Sequence, residues 1–239
     1  MLLIYFLSIL NFSTKIHLTM KNVSKEDYLS VIYKSSDING VIKANQIAEK
    51  LNISGAAVTD MLRKLSKEGF VDYKRYKGIK LTKSGEDYAR SMVRRHRIWE
   101  VFLHQIVGLP WDKVHNEAEN LEHSSSDELI NRLEEMLDYP EFDPHGDPIP
   151  SKEGRVPKLR KNIPLSLMKE GESGKVVRVN DFDKSFLVYI SDIGIELNEI
   201  INLIEVRSFD QSMHIKVKGK DWNISRKLAE NVFVEVAKK

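Results

Sequence analysis

The stretch KVHNEAENLEH, residues 113–123, packs two histidines and three carboxylates into eleven residues. On a helix of 3.6 residues per turn, Glu119 faces Glu122 at i+3 and His123 at i+4, and His115 lies one turn earlier on the same side. Upstream, His96 and Glu100 are again four apart, and the break GLPWD lets two helices turn their polar stripes toward each other. Four of the seven histidines fall between residues 96 and 123. Imidazole nitrogens and carboxylate oxygens in this pattern form a metal-ligand set, and Glu119 and Glu122 repel across a turn unless a cation lies between them. The chain has no cysteine, so thiolate sites and disulfides are excluded. A nitrogen and oxygen set rich in carboxylates suits manganese(II) or iron(II) better than copper, while zinc and other divalent ions also bind such sets. The stripe reads equally as a solvated acidic helix with incidental histidines, and spacing alone leaves both readings open.

The elements that would position these residues follow from apolar periodicity. Tyr28, Leu29, Ile32 and Tyr33 recur at helical spacing behind a capping Ser24. A short helix opening at Ala44 or Asn45 carries Ile47, Ala48 and Leu51, a turn follows at Asn52-Ile53, and Ser54 caps a third helix with Val58, Met61, Leu62 and Leu65. Two short helices about a tight turn are a helix-turn-helix signal, and the alternating FVDYKRYKGIKLT around Lys77-Gly78 adds a β-hairpin, giving a winged helix. A long helix runs from Ser84 to Gly108-Leu109-Pro110, another from Trp111 to His123, and a third from about Asp127 to Leu137. YPEFDPHGDPIPSKEG holds four prolines and two glycines and reads as a linker. Beyond it, the short runs KVVRV, SFLVYI, MHIKVKG and NVFVEV predict strands of a small β-barrel. The expected organisation is a winged-helix domain over 20–92, a helical domain over 93–150, a linker over 151–171 and a small β-barrel over 172–239, mainly α with β.

Charge divides the chain in the same way. Residues 20–97 carry 17 Lys/Arg against 9 Asp/Glu, whereas residues 98–150 carry 2 against 13. A basic first module suits a polyanion and an acidic middle suits cations. On the third helix the face away from the core presents Ser54, Ala56, Thr59, Asp60, Arg63 and Lys64. Short side chains at its start let the backbone approach a major groove, Thr59 reaches phosphate and Asp60 accepts from a cytosine amino group. In the wing, Lys74, Arg75, Lys77 and Lys80 suit phosphate contacts.

Three blocks, VRRHRIWEVFLHQIVGL, KVHNEAENLEH and SDELINRLEEMLDYPEFDPHGDPIP, resemble those of the diphtheria toxin repressor family of metal-dependent transcription regulators. The resemblance runs from Lys21 to the C-terminus and includes EDYLSVIY, IAEKLNISGAAVTDMLRKLSKEGFV and LTKSGEDYA, and it implies a dimerisation helix pair and an SH3-like fold for the C-terminal barrel. It implies a primary, activating metal site at Asp27, Glu119, Glu122 and His123 and an ancillary site at His96, Glu100 and His115. Glutamate at 119 and aspartate at 27 match the manganese-responsive branch, where the iron-responsive branch has cysteine and methionine. Ser30 replaces a glutamate that binds a second ion in some two-domain relatives, so no such pair is expected. The loop NDFDKS offers Asp181 or Asp183 as a further ancillary ligand, with Asp183 preferred, and His104 is expected at the surface. What the resemblance implies is a cytoplasmic homodimer that binds palindromic double-stranded DNA and represses metal-uptake genes, with no small-molecule substrate and no membrane partner.

The N-terminal run MLLIYFLSILNF is shorter than the roughly 20 residues of a membrane span. Met20 is read as the biological start, with 1–19 a leader or extension, the alternative being an added helix. Two rival functions are a winged-helix interaction module without metal response and a helical-bundle metalloenzyme. The latter would need Glu-x-x-His on two helices, whereas one Glu119-x-x-Glu122-His123 unit is present, with no nucleophile or oxyanion arrangement and so no catalytic residue.

Overall fold

The computed structural model describes residues 24–36, 39–74, 78–159, 161–181 and 183–236. They fall into two compact units divided between Ala89 and Arg90. The leader reading at 1–19 and the wing-tip residues Arg75 and Lys77 lie outside the described residues.

In the first unit, α1 (Lys25–Ser35) starts from a reciprocal cap. Ser24 Oγ accepts from the Asp27 amide at 3.2 Å, and Asp27 Oδ2 accepts from the Ser24 amide at 2.8 Å. The left-handed Asn52 separates α2 (Ala44–Leu51) from α3 (Gly55–Lys67), whose cap is Ser54. Leu29, Ile32, Ile47, Val58, Leu62 and Leu65 form one buried core, which fixes the helix-turn-helix and leaves the opposite face of α3 to solvent. Antiparallel β1 (Val71–Lys74) and β2 (Gly78–Leu81) form the hairpin.

Helix α4 (Lys83–Gln105) begins here, and Gly85 lies against the Phe70 carbonyl so closely that a Cβ would stand 1.9 Å from its oxygen. Helix propensity favours alanine over glycine by about 1 kcal/mol. Here the contact reverses that sign: Gly85→Ala should cost about 1–3 kcal/mol, read as a lower urea midpoint, and an unchanged or higher midpoint would show that Phe70 yields freely.

In the second unit, α4 continues and is followed by α5 (Trp111–Glu122) and α6 (Asp127–Met136). Ile98 and Val101 pack with Ile130, Leu133 and Ile149, while Leu103 packs with Val114 and Ala118. The stretch expected as an open linker is not one at its start. Asp143, His145 and Ile149 are buried, and Asp143 Oδ1 accepts from the amides of His145 and Asp147, both at 2.9 Å. Arg97 reaches this loop from α4, its Nε 3.2 Å from Asp143 Oδ2. Prolines end the helix, and side-chain hydrogen bonds then add to the loop's own backbone bonds, such as those from the Asp143 amide to the Asp147 carbonyl and from the Ile149 amide to the Glu141 carbonyl.

The remaining elements build a six-stranded antiparallel sheet in the order β3-β8-β4-β5-β6-β7. Its strands are β3 (Ile163–Pro164), β4 (Ser173–Val179), β5 (Ile200–Val206), β6 (Met213–Val217), β7 (Lys220–Ile224) and β8 (Val232–Val236). The sheet thus starts at Ile163, inside the segment expected as linker, because a two-residue strand carrying Pro164 shows no alternation. A second correction concerns SFLVYI, expected as a strand, which lies in α7 (Lys184–Asp192). Asp183 caps it, and Leu187 and Ile190, three apart, are its buried residues, so a strong cap and a helical apolar pair override β propensity. A further short helix, α8 (Arg226–Ala229), precedes β8. Among the described residues no helix is long and apolar enough to cross a membrane.

Candidate metal centre

Helix α4 presents His96 and Glu100 on one face, and α5 presents His115 to them. His96 Nε2 lies 3.1 Å from Glu100 Oε1 and 3.0 Å from His115 Nδ1, and His115 Nδ1 lies 3.2 Å from Glu100 Oε1. Two residues from outside the helices complete the cluster. His145 Nδ1 stands 3.9 Å from Glu100 Oε1, and Asp181 Oδ2 stands 3.8 Å from His115 Nδ1. One ligand atom each from His96, Glu100 and His115 lie within 4.8 Å of one another, as do those of Glu100, His145 and Asp181.

The chemistry of these donors fits a cation. His145 Nε2 pairs with the Trp111 carbonyl at 3.0 Å, and as a carbonyl only accepts, that nitrogen carries the hydrogen. The other ring nitrogen, Nδ1, faces the Glu100 carboxylate from 3.9 Å, beyond hydrogen-bond distance. His145 Nδ1 and Glu100 Oε2 are both buried without a hydrogen-bond partner, and Glu100 and His145 are each 0% exposed. Burial pushes the Glu100 carboxyl up, but the charge of His96, hydrogen bonds from His115 and His96, and the charge of His145 outweigh it and hold the group well below the usual carboxylate range. A buried carboxylate with one oxygen unpaired and three imidazoles about it is a donor set that suits a positive ion.

Glu122 is buried at the end of α5, its Oε2 2.6 Å from His96 Nδ1, and exposed His123 places Nε2 3.3 Å from Glu122 Oε1. Glu119 is half-buried on the same helix. Asp27 stands in the first unit, in the α1 cap. Asp183 is spent as the α7 cap, its Oδ1 accepting from the amides of Ser185 and Phe186 at 2.8 and 3.3 Å; the neighbouring Asp181 is the one near His115. His104 is exposed and pairs with the Leu109 carbonyl at 3.0 Å. Sequence reasoning missed His145, since a histidine in a proline-rich stretch has no periodic partner. The signal available was the Asp-Pro-His-Gly-Asp run itself, residues 143–147, in which an Asx-type turn orders the ring.

On α3, Ser54, Ala56, Asp60, Arg63 and Lys64 are exposed. Asp60 pairs with Arg63 at 3.3 Å, and the hydroxyl of half-buried Thr59 donates to the Gly55 carbonyl at 2.9 Å.

A winged-helix module, a helical unit with a buried cluster of imidazoles about a carboxylate, and a small sheet domain are the parts expected of a metal-dependent transcription regulator. Family models agree part by part: iron dependent repressor, N-terminal DNA binding domain, over residues 20–79; iron dependent repressor, metal binding and dimerisation domain, over 82–151; and FeoA domain over 163–236. Among solved structures, a manganese-dependent transcriptional repressor in complex with manganese is 35% identical, with 88% of this chain and 99% of that one covered and a TM-score of 0.80. The manganese regulator SloR is 34% identical, covering 89% and 98%, TM-score 0.73. IdeR of T. acidophilum is 26% identical, covering 91% and 100%, TM-score 0.71. The chain belongs to the iron-dependent repressor family of metal-dependent transcriptional repressors. Members of this family are repressors and not enzymes.

One titration follows from the loop. Burial, then the charge of Glu100, push the Asp143 carboxyl up to about 7 against the opposing pull of Arg97. Unfolded, it titrates near 3.8, so between these values the folded state holds the extra proton. The stability this lends is full below the unfolded value and is lost as pH rises to about 7. In metal-free protein, Asp143→Asn should flatten the decline in stability across that window, measured by chemical denaturation at each pH; an identical slope would assign the decline to other groups.

Proposed function

We propose that this chain is a cytoplasmic, homodimeric repressor that binds a palindromic operator when loaded with manganese(II), iron(II) being the second candidate, and that it controls genes of metal uptake. The observation that carries the metal reading is the buried Glu100, whose Oε1 lies 3.1 Å from His96 Nε2, 3.2 Å from His115 Nδ1 and 3.9 Å from His145 Nδ1, with Oε2 left without a partner. The oxygen-rich primary set favours a hard ion, and a relative of 35% identity is described with manganese. In this reading Asp27, Glu119, Glu122 and His123 hold the activating ion, while His96, Glu100 and His115, with His145 and Asp181, hold the ancillary one. The ion supplies positive charge that relieves repulsion among buried carboxylates.

Asp27 has the decisive place, because it stands at the N-terminus of α1 in the DNA-binding module and the other primary residues stand on α5. Ligation by Asp27 biases the module toward the DNA-competent arrangement, and a 100-fold preference for that arrangement amounts to roughly 2.7 kcal/mol. On DNA, α3 presents Ser54, Ala56 and Asp60 to base edges and Thr59, Arg63 and Lys64 to the backbone, with Arg75 and Lys77 of the wing on phosphates.

The first experiment is fluorescence anisotropy of labelled promoter DNA at fixed salt under chelator, manganese(II) and iron(II). Binding only with metal is the expected result; equal binding without metal would overturn the metal-activated reading. Asp27→Asn, which keeps an acceptor for the Ser24 amide, should fold normally yet lose metal-dependent binding, and full activation by metal would refute its role. Removing the charges of Arg75 and Lys77 should weaken binding to every sequence and lower the slope of log affinity against log salt by about 2. Equal slopes before and after would take the wing off the DNA.

A further inference from the structure

His96 has one ring nitrogen in each of the two proposed sites. Its Nε2 lies 3.1 Å from Glu100 Oε1 and 3.0 Å from His115 Nδ1, while its Nδ1 lies 2.6 Å from Glu122 Oε2. His96 is 5% exposed and Glu122 7%, so water does not compete for the short bond. A neutral imidazole has one N–H and one lone pair, on opposite sides of the ring. Whichever nitrogen offers its lone pair to a cation, the other must carry the hydrogen.

We propose that His96 is a positioning residue for Glu122, through which the ancillary cluster sets the affinity of the primary site. The inference rests on the two-site reading above. With the Nε2 lone pair engaged in the ancillary cluster, Nδ1–H donates to Glu122 Oε2. That bond fixes the carboxylate and leaves Oε1, already 3.3 Å from His123 Nε2, for the primary site. With the hydrogen on Nε2 instead, Nδ1 presents a lone pair to a carboxylate oxygen 2.6 Å away, and Glu122 must turn aside. Histidine ligands that donate their second nitrogen to a carboxylate are ordinary outer-shell construction, and such partners change affinity by about 10–100-fold. The carboxylate here is itself a ligand of the neighbouring site, so the two sites share the bond. By linkage the coupling is reciprocal, and primary occupancy tightens the ancillary site equally.

The test is manganese binding to purified full-length chain, read by calorimetry and by the electron paramagnetic resonance of free manganese(II), with metal-free thermal melts as the folding control. Wild type should bind two ions per chain with positive cooperativity. His115→Ala removes an ancillary residue without touching the His96–Glu122 bond, and should leave one ion bound about 10-fold more weakly than the wild-type primary site. His96→Ala should weaken that ion at least as much. His96→Asn keeps a donor near the Nδ1 position, and should restore most of the affinity lost in His96→Ala while still binding one ion. Unchanged primary affinity in His115→Ala, or no recovery in His96→Asn, would overturn the coupling with the two-site reading intact. A wild-type chain that binds fewer than two ions would overturn that reading itself.

Discussion

A single buried charge organises the second unit. Glu100 has no exposure, and an ionised carboxylate in such a place is tolerable only with charge and hydrogen bonds arranged around it. Three histidines meet that demand, from α4, α5 and the loop after α6, and each is held by something else. His96 leans on Glu122, His145 is anchored by the Trp111 carbonyl, and His115 is the half-exposed member beside Asp181. The helices are therefore placed by polar demands at their centre as much as by the apolar pairs around it. On the proposed metal reading, the residues that meet the cost of this buried charge in folding are also the ones that would hold the ion.

That arrangement explains which parts of the molecule were legible in the sequence. The helices of both units announce themselves by apolar spacing and caps: Ser24, Ser54 and Ser126 each accept from a first-turn amide. His96, Glu100 and His115 were legible for the same reason, since residues on one helical face stay together wherever the helix goes. His145 was not legible, because a long-range turn, not a period, brings it to Glu100. Within the sheet, β5 reads IINLIEV, apolar on both faces at its start, and β7 reads KDWNI, mostly polar. Neither alternates, and both exist because β6 lies between them and supplies their partners.

The same contrast separates the two kinds of functional residue. The cluster residues His96, Glu100 and His145 are buried, and His96 and His145 are each held by a further partner. The outward positions of α3 are exposed and carry only local bonds, such as Asp60 to Arg63. A surface pair of that kind contributes little to stability and so can be exchanged for other partners at low cost. The residues proposed for DNA and those proposed for metal thus sit in regions of opposite tolerance to substitution.

The loop that carries His145 also decides what counts as a part of this molecule. Gly146 lies so close to β4 that a Cβ would stand 2.2 Å from the Val177 carbonyl oxygen. The Val179 amide donates to the His145 carbonyl, and Asp147 is within 3.5 Å of both Arg97 and Arg178. Trp111 of α5 belongs to the apolar core of the sheet domain. The helices and sheet of the second unit are consequently not beads on a string but packed as one body. A cut near residue 150 would leave Trp111 without its core, Asp147 without Arg178 and the cluster without Asp181, so the boundary between the two matched family segments is not a boundary in the packing of this chain.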